Sequence, residues 1–556
     1  MADADDVAFE RVDPRARVSD FKVRVLTQFE LTSRESVTSL QLVKCEPGAE
    51  PTPQEVAAAA SLKTRATIAQ SGLRTDNLLL LVFREASPPA VALPAALQFP
   101  PSALCDANVW KRVQATADSA APPFACFRPP VLSPHALPAA LLSPIFAKFL
   151  RTASSDVTAM QDCSAESRAV VRLVAQMPRV FESERSRGDV FRAILREELG
   201  IILEPTQPDP GSSACTDGSC MHRVADSVAL LALEEDKLEV GSSGDPYFQG
   251  QAYYFRHWHA ADRDGRAAAF AGDVRPALML ELIGPHLRVC ALATGPGGRV
   301  LCEPLTPLLH LLALTGQPVY MSRLVTSLRA LREALHELRM HYERVAASPP
   351  PTVAPALLPY PLRDAARFAD VRLLQEGKLL FHASWSPPSG GGALRVCVKF
   401  VTRYRPDIHA LWAGAGLAPA LYACEPLGGD DAPWHMVIME LLHPQTWQSL
   451  PALQPDARAA ARPVAQAALA AAHALRLPSG ASCVHGDARD VNVMMSRTPD
   501  GGWRAAFVDF DWAGEEGRST YPILMSVGLT WAPGARPGLP MLQANDTQQL
   551  SMAGGC

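Results

Sequence analysis

Pro349, Pro350, Pro351, Pro355, Pro359 and Pro361 crowd into residues 349–361 of this chain. Proline lacks a backbone N–H and disfavours helix in the residue before it. No helix or central strand is expected to cross such a stretch, so it divides the chain. A longer proline field covers 88–143, in runs such as SPPAVALPAALQFPP and APPFACFRPPVLSPHALP. Together they hold much of an excess of 49 prolines in 556 residues, about 9% against a usual ~5%. Length agrees with such division: single cores stop growing near ~250–300 residues, and three or four domains are expected. The expected organisation is a small unit over 1–84, a Pro/Ala-rich connector over 85–160, a mixed unit over 161–315, a connecting helix over 316–347, a Pro-rich linker over 348–361 and a last unit over 362–556. The two larger units would then be flexibly tethered, with any coupling carried by the helix.

Composition excludes some classes. Apolar residues are 48% and charged residues 20%, which rules out a wholly disordered chain. With 52 basic and 57 acidic residues the net charge is −5, so the whole chain is no magnet for nucleic acid, although a local basic groove is compatible with it. No apolar run reaches the roughly 18 residues of a membrane span. The start, MADADDVAFERV, has no apolar signal core. The expectation is an intracellular protein without a membrane partner. Twelve scattered cysteines fit reduced thiols. The one tight cluster, Cys215, Cys220 and His222, lacks the second pair of a zinc site.

Periodicity gives the elements. Phe21, Val25 and Phe29 recur at helical spacing after Ser19, while Ser39–Cys45 and Leu78–Phe83 read as strands. Further on, a helix is expected over 184–199, a loop over 204–220, and strands over 227–233, 276–283 and 287–293. Leu324, Leu328, Leu331, Leu335, Leu338, Tyr342 and Val345 make an a/d stripe. It suits one long helix packed on its own domain better than a coiled-coil dimer.

The last unit carries three ordered pieces. Arg395–Phe400 (RVCVKF) puts Lys399 on an alternating strand, Val484–Asn492 (VHGDARDVN) sets Asn492 five residues after Asp487, and Phe507–Gly514 (FVDFDWAG) ends an apolar strand on Asp509. In this order they resemble the protein-kinase signature of strand lysine, H-x-D-x-x-x-x-N loop and D-F-x metal motif. Phosphoryl transfer needs positioning and charge neutralisation more than covalent help. Lys399 can clamp the α- and β-phosphates of ATP. Asn492 and Asp509 are hard oxygen ligands for Mg²⁺. Asp487 can accept the proton of the attacking hydroxyl, and Arg489 can neutralise the transferred group. Asp407, on the helix after the lysine, stands where kinases place a glutamate. The sequence departs from the signature in four further places: no G-x-G-x-x-G precedes Lys399, the loop is HGD rather than HRD, Asp511 replaces a glycine, and no A-P-E follows. The acceptor class, protein or small molecule, stays open. So does a pseudokinase that binds nucleotide without transfer.

A second constellation lies upstream. Asp217, Glu235 and Lys237 form D-x17-E-x-K, followed by GDPYFQ and by Gln249 and Tyr253 as Q-x-x-x-Y. These motifs resemble the PD-(D/E)XK restriction-endonuclease-like fold and its RecB-like branch. The resemblance implies that Asp217 and Glu235 hold Mg²⁺, with Mn²⁺ as a substitute, and that Glu184 on the preceding helix completes the site. Lys237 shares a strand face with Glu235, where it can activate the attacking water or stabilise phosphate charge. Arg256, His257, His259, Arg263 and Arg266 follow, and can meet the phosphates of DNA.

With VSDF at 18–21, LQLVKC at 40–45 and the strand at 78–83, the arrangement resembles a Crinkler-type effector. That resemblance implies a ubiquitin-like N-terminal domain, whose first strand with its LFLAK-like motif is missing from this sequence. It implies an intracellular toxin-like or defence role, often in the nucleus of a target cell. The expected fold is multidomain α/β and α+β: the ubiquitin-like N-terminal domain, a restriction-endonuclease-like α/β core, and a C-terminal bilobal protein-kinase-like fold with a reduced C-lobe. The expected function is an ATP- and Mg²⁺-dependent phosphotransferase fused to a Mg²⁺-dependent DNA nuclease. The alternative is a regulatory binding protein without catalysis.

Overall fold

The computed structural model describes residues 7–11, 39–44, 60–61, 78–83, 99–114, 123–126, 137–155, 164–209, 214–241, 244–295, 298–312, 318–348, 358–375, 378–429 and 434–552. The chain forms two compact units, Met1–Gln98 and Phe99–Cys556.

The first unit contains strands β1 (Val7–Arg11), β2 (Ser39–Lys44), β3 (Ala60–Ser61) and β4 (Leu78–Phe83), in the order β1-β4-β2-β3. β2 and β4 are the two expected strands, here hydrogen-bonded to each other from Ser39↔Phe83 to Lys44↔Leu78. A strand is also present at the start, contrary to the expected absence of a first one: VAFER pairs along β4. All these pairings are antiparallel, so the sheet alone does not single out a ubiquitin-like roll. The expected helix around Phe21, Val25 and Phe29 lies outside the described residues.

The second unit begins with a surprise for a proline-rich stretch. Residues 85–160, expected as a connector, contain α1 (Ala107–Gln114), β5 (Phe124–Cys126), α2 (Ala139–Leu142) and α3 (Pro144–Ser154). Leu141, Leu142, Ile145, Phe146 and Phe149 are buried. The prolines here start helices instead of breaking them. Pro138 directly precedes α2, and Pro144 takes the first turn of α3, where its missing N–H costs nothing. Ser143 caps α3 by accepting the Ile145 N–H at 3.3 Å. Between the prolines, Ala and Leu are good helix formers.

Next come α4 (Ala165–Gln176), α5 (Glu184–Leu199), β6 (Gly218–Val224), β7 (Ser227–Lys237), α6 (Pro246–Arg263), β8 (Ala277–Ile283), β9 (His286–Thr294), β10 (Val300–Pro304) and β11 (Leu309–His310). α5 has the expected bounds. Ser183 and Ser186 cap its start reciprocally, and Gly200 ends it at φ 66. The sheet runs β5-β10-β9-β8-β7-β6, with β11 on β9. β7 and β8 are parallel and joined by the crossover helix α6.

β7 is buried on both faces. Its odd-numbered face meets α6, where Gly250 fits against Leu233 and Met279. Its even-numbered face meets α5, where Arg192 pairs with Glu234 at 3.1 Å and Asp236 at 3.2 Å. At Gly188, a Cβ would lie 1.9 Å from Asp236 Oδ2 and 2.8 Å from Arg192 Nη1. Alanine normally improves a helix by about 1 kcal/mol over glycine. Here Gly188→Ala is expected to destabilise by about 2 kcal/mol through overpacking, read as a lower denaturant midpoint. An unchanged or higher midpoint would show that the ion pair moves aside freely.

The long helix α7 (Pro318–Ala347) buries Leu324, Leu328, Leu331, Leu335, Leu338 and Tyr342 within its own chain. Its neighbours are α3 and α4, through Lys148 with Glu337, Thr152 with Glu333 at 3.4 Å, and Arg332 with Glu166 at 2.5 Å. The stripe is therefore filled without a second copy.

The remaining elements are β12 (Phe368–Leu373), β13 (Leu380–Trp385), β14 (Leu394–Val401), α8 (Pro406–Gly414), β15 (Leu421–Pro426), β16 (His435–Glu440), β17 (Trp447–Ser449), α9 (Pro455–Ala474), β18 (Cys483–Val484), β19 (Val493–Arg497), β20 (Trp503–Phe507), β21 (Gly514–Glu515) and α10 (Gln543–Met552). An antiparallel sheet β12-β13-β14-β16-β15 forms one lobe. α9, the small sheets β17-β19-β20 and β18-β21, and α10 form the other.

The expected flexible tether between the larger parts is not what the packing gives. Leu141 of α2 is fully buried in one core with Phe368, Phe381, Trp385, Val396 and Val398 of the β-lobe. Arg363 donates to the Leu142 carbonyl at 2.6 Å, and Gly428 approaches Ala147. The two parts share a core because the helices of the presumed connector lie between them. Among the described residues, no helix is long and apolar enough to cross a membrane.

Candidate active sites

The upstream site gathers at the end of β7. Asp217 directly precedes β6, and the register Gly218↔Glu234 sets it opposite Glu235. The expected loop thus ends earlier than 220, and Asp217 lies at a strand start. Its Oδ2 accepts the Asp236 N–H at 2.8 Å. Lys237 donates to the Asp236 carbonyl at 2.7 Å and stands 3.8 Å from Glu184 Oε2. From α6, the Gln249 amide oxygen comes beside the Lys237 stem where Gly244 (φ +61) leaves room: a Cβ on Gly244 would be 3.1 Å from Gln249 Oε1 and 3.5 Å from Lys237 Cε. Tyr253 is buried, and its phenol is pushed up by burial and by the charges of Glu235 and Asp217. All six expected residues are therefore brought to one place.

Charge in this pocket is expensive. Burial pushes the Glu235 carboxyl well up, and the Asp217 charge adds to it against the pull of Lys237. Asp217 is also raised by burial, with the Asp236 N–H and Lys237 opposing. Glu235 Oε1 and Gln249 Oε1 are buried without a hydrogen-bond partner. Two close carboxylates and two orphaned acceptor oxygens fit a hard divalent cation, which binds through one or two carboxylates and keeps waters. Glu184 is a different case. Expected as a metal ligand, it instead faces the Lys237 ammonium. Among the described residues, no three of His, Cys, Asp and Glu form a metal-holding group.

The arginines on and just after α6 are largely engaged by partners within the protein. Arg263 pairs with Asp209 and Asp264, and Arg266 with Asp264. Arg256 donates to the Phe99 carbonyl at 2.6 Å. Burial, with Arg266 and Arg275 nearby, pushes His257 down to about 3 and keeps it neutral. The expected phosphate-facing patch is thus mostly engaged in ion pairs within the protein, at the surface, where Arg263 keeps 50% and Arg266 33% of the side chain exposed.

The second site lies between the lobes. Lys399, on β14, donates to Asp509 and, at 2.5 Å, to Asp511. Asp509 has φ 73, a left-handed conformation that Asp tolerates better than most residues. Between the two acids, Phe510 turns into the core and packs on His409, Trp412 and His485. Burial works against the Lys399 charge, but the two carboxylates outweigh it and hold the ammonium above its usual range. Burial pushes Asp511 up to about 7, with Asp509 adding to it against Lys399. Asp509 is also buried, yet Lys399 outweighs that cost and holds it low. Lys378, from the hairpin between β12 and β13, adds positive charge near Asp509.

Asp407 is the expected residue that the structure moves away. Its carboxylate is taken by Arg405 at 2.9 and 2.7 Å, and its side chain is 46% exposed. Pro406 opens α8 one residue earlier, which leaves Asp407 in the exposed first turn.

The loop side chains are held as one hydrogen-bonded group. Arg489 holds Asp487 with two bonds, at 2.5 and 2.8 Å. Asn492 Nδ2 donates to the Asp487 carbonyl and to its Oδ2, both at 2.9 Å. The HGD form has a steric cause. Gly486 has φ +79, and a Cβ there would lie 2.9 Å from the Trp512 carbonyl, so an arginine has no room.

Sequence reasoning missed Asp546 on α10. Its buried carboxylate accepts the His485 N–H at 2.7 Å and the Gly486 N–H at 3.0 Å, with His473 Nε2 at 3.3 Å. It lies about 60 residues from the loop in a stretch, QANDTQQL, without motif or stripe. No family model matches the chain, and no curated protein matches it.

Proposed function

We propose that the C-terminal part is an ATP- and Mg²⁺-dependent phosphotransferase, joined to a Mg²⁺-dependent nuclease-type site. The single observation that carries the first half is the meeting of Lys399 with Asp509 across the lobes, beside the hydrogen-bonded group Asp487, Arg489 and Asn492. In this reading Asp487 accepts the proton of the acceptor hydroxyl. The hydroxyl oxygen bonds to the γ-phosphorus as the bridging bond to ADP breaks. Lys399 and Arg489 neutralise phosphate charge, and Asp509 with Asn492 would hold Mg²⁺, which would supply further charge neutralisation at the phosphates. Full-length protein with γ-labelled ATP and Mg²⁺ is expected to label itself or an added acceptor, and chelating the metal is expected to abolish labelling.

For the upstream site, the order α5-β6-β7-α6-β8 and the convergence of Asp217, Glu235, Lys237, Gln249 and Tyr253 support a PD-(D/E)XK-like reading. Asp217, Glu235 and the Gln249 oxygen would hold the cation, and the Lys237 ammonium would orient the attacking water or stabilise phosphate charge, as the water oxygen bonds to phosphorus, its proton passes to solvent and the P–O bond to the leaving strand breaks. Both carboxyls are raised, so protons compete with the metal. Plasmid nicking is therefore expected to rise with pH, more steeply at low Mg²⁺. Nicking that falls with rising pH would exclude these carboxylates as ligands. DNA as substrate, a ubiquitin-like N-terminal domain and a Crinkler-type intracellular setting remain what the sequence resemblance implies. The regulatory alternative draws on one observation: Arg256, Arg263 and Arg266, the expected phosphate contacts, are engaged by the protein itself.

A further inference from the structure

We infer that Asp511 is the positioning residue for Lys399, the acid that holds the lysine on the phosphates in place of one from helix α8. This rests on the phosphotransferase proposed above. In kinase-type sites, a strand lysine that touches phosphate is oriented by an acid on the following helix. Here that helix offers Asp407, already bound twice by Arg405 and largely turned to solvent. Asp509 is the proposed metal ligand, and its charge would be shared between the cation and the lysine. Asp511 remains, with its Oδ1 at 2.5 Å from Lys399 Nζ.

Its placement is fixed from behind. Phe510 is fully buried against His409, Trp412 and His485. With Phe510 anchored and the backbone turned at Asp509, residues 509 and 511 both present carboxylates to the pocket. A glycine at 511 could not do so. Asp511 therefore supplies what Asp407 lacks, and the departure at the third position of the metal motif compensates the departure on α8.

The test is equilibrium binding of MgATP and of adenosine to the full-length chain, with steady-state ATP kinetics alongside. Asp511→Asn is expected to weaken MgATP binding about tenfold and to raise KM for ATP more than it lowers kcat. Adenosine, which has no phosphates for Lys399, is expected to bind as to wild type, and Asp511→Glu is expected to recover part of the MgATP loss. In a Lys399→Met background, Asp511→Asn is expected to add little further loss. Equal or tighter MgATP binding by Asp511→Asn, in a wild type that does bind it, overturns the inference and leaves the phosphotransferase standing. An equal loss of adenosine affinity also overturns it, since that marks general damage to the pocket. A wild-type chain that binds no MgATP overturns both.

Discussion

Asp546→Ala is expected to disable the C-terminal site and to destabilise the protein, although Asp546 touches no reacting group. Its carboxylate is 1% exposed and receives the N–H groups of His485 and Gly486. These two peptides lead into Asp487, so their orientation sets the aim of the proposed base. Alanine would leave two buried donors without partners, at about 1–3 kcal/mol each. A lower unfolding midpoint and a loss of phosphoryl transfer of roughly 10²-fold or more are expected. Asp546→Asn keeps one acceptor oxygen and is expected to fall between. Wild-type stability in the alanine variant would mean that water replaces the carboxylate, and that α10 does not support the loop.

Glu235→Gln is expected to separate stability from activity at the upstream site. The Glu235 carboxyl is buried among Asp217, Glu234 and Asp236, with an orphaned oxygen. A neutral amide of the same shape relieves a buried charge, so thermal stability is expected to hold or rise. Nicking with Mg²⁺ or Mn²⁺ is expected to fall by roughly 10²-fold or more, because the cation loses a charged ligand. That opposition is typical of a group retained for function at a cost in stability. A variant that is both less stable and fully active would make Glu235 a structural acid.

The sequence was most legible where one local rule governs. The α5 helix has the bounds expected for it, with local signals at both ends, a serine cap and a terminal glycine, and the α7 stripe followed from apolar spacing. The alternation Glu234, Glu235, Asp236, Lys237 separated two faces of β7: even positions meet Arg192, odd positions meet Gln249 and Tyr253. Proline was misleading over 138–144, because proline breaks a helix interior but favours a helix start. The partners that side chains choose were the least legible. Arg405 claims Asp407 and leaves Lys399 to Asp511, which the sequence marked only as a missing glycine. Nothing near QANDTQQL reveals Asp546 as the support of HGD, because that contact forms only when α10 packs under the loop. Arg263 and Arg266 read as candidate phosphate contacts from sequence, because nothing there shows that Asp264 and the remote Asp209 pair with them.

The most direct test of the phosphotransferase is transfer of γ-phosphate from ATP by full-length wild type and by Asp487→Ala, at equal concentration with Mg²⁺. Asp487 is the proposed proton acceptor, and general-base removal costs about 10²–10⁴-fold. The expected result is label on the wild-type chain or an added acceptor, and at least a hundredfold less with Asp487→Ala at unchanged MgATP affinity. Equal incorporation by the two proteins, or none by wild type while it binds MgATP, would contradict catalysis at this site.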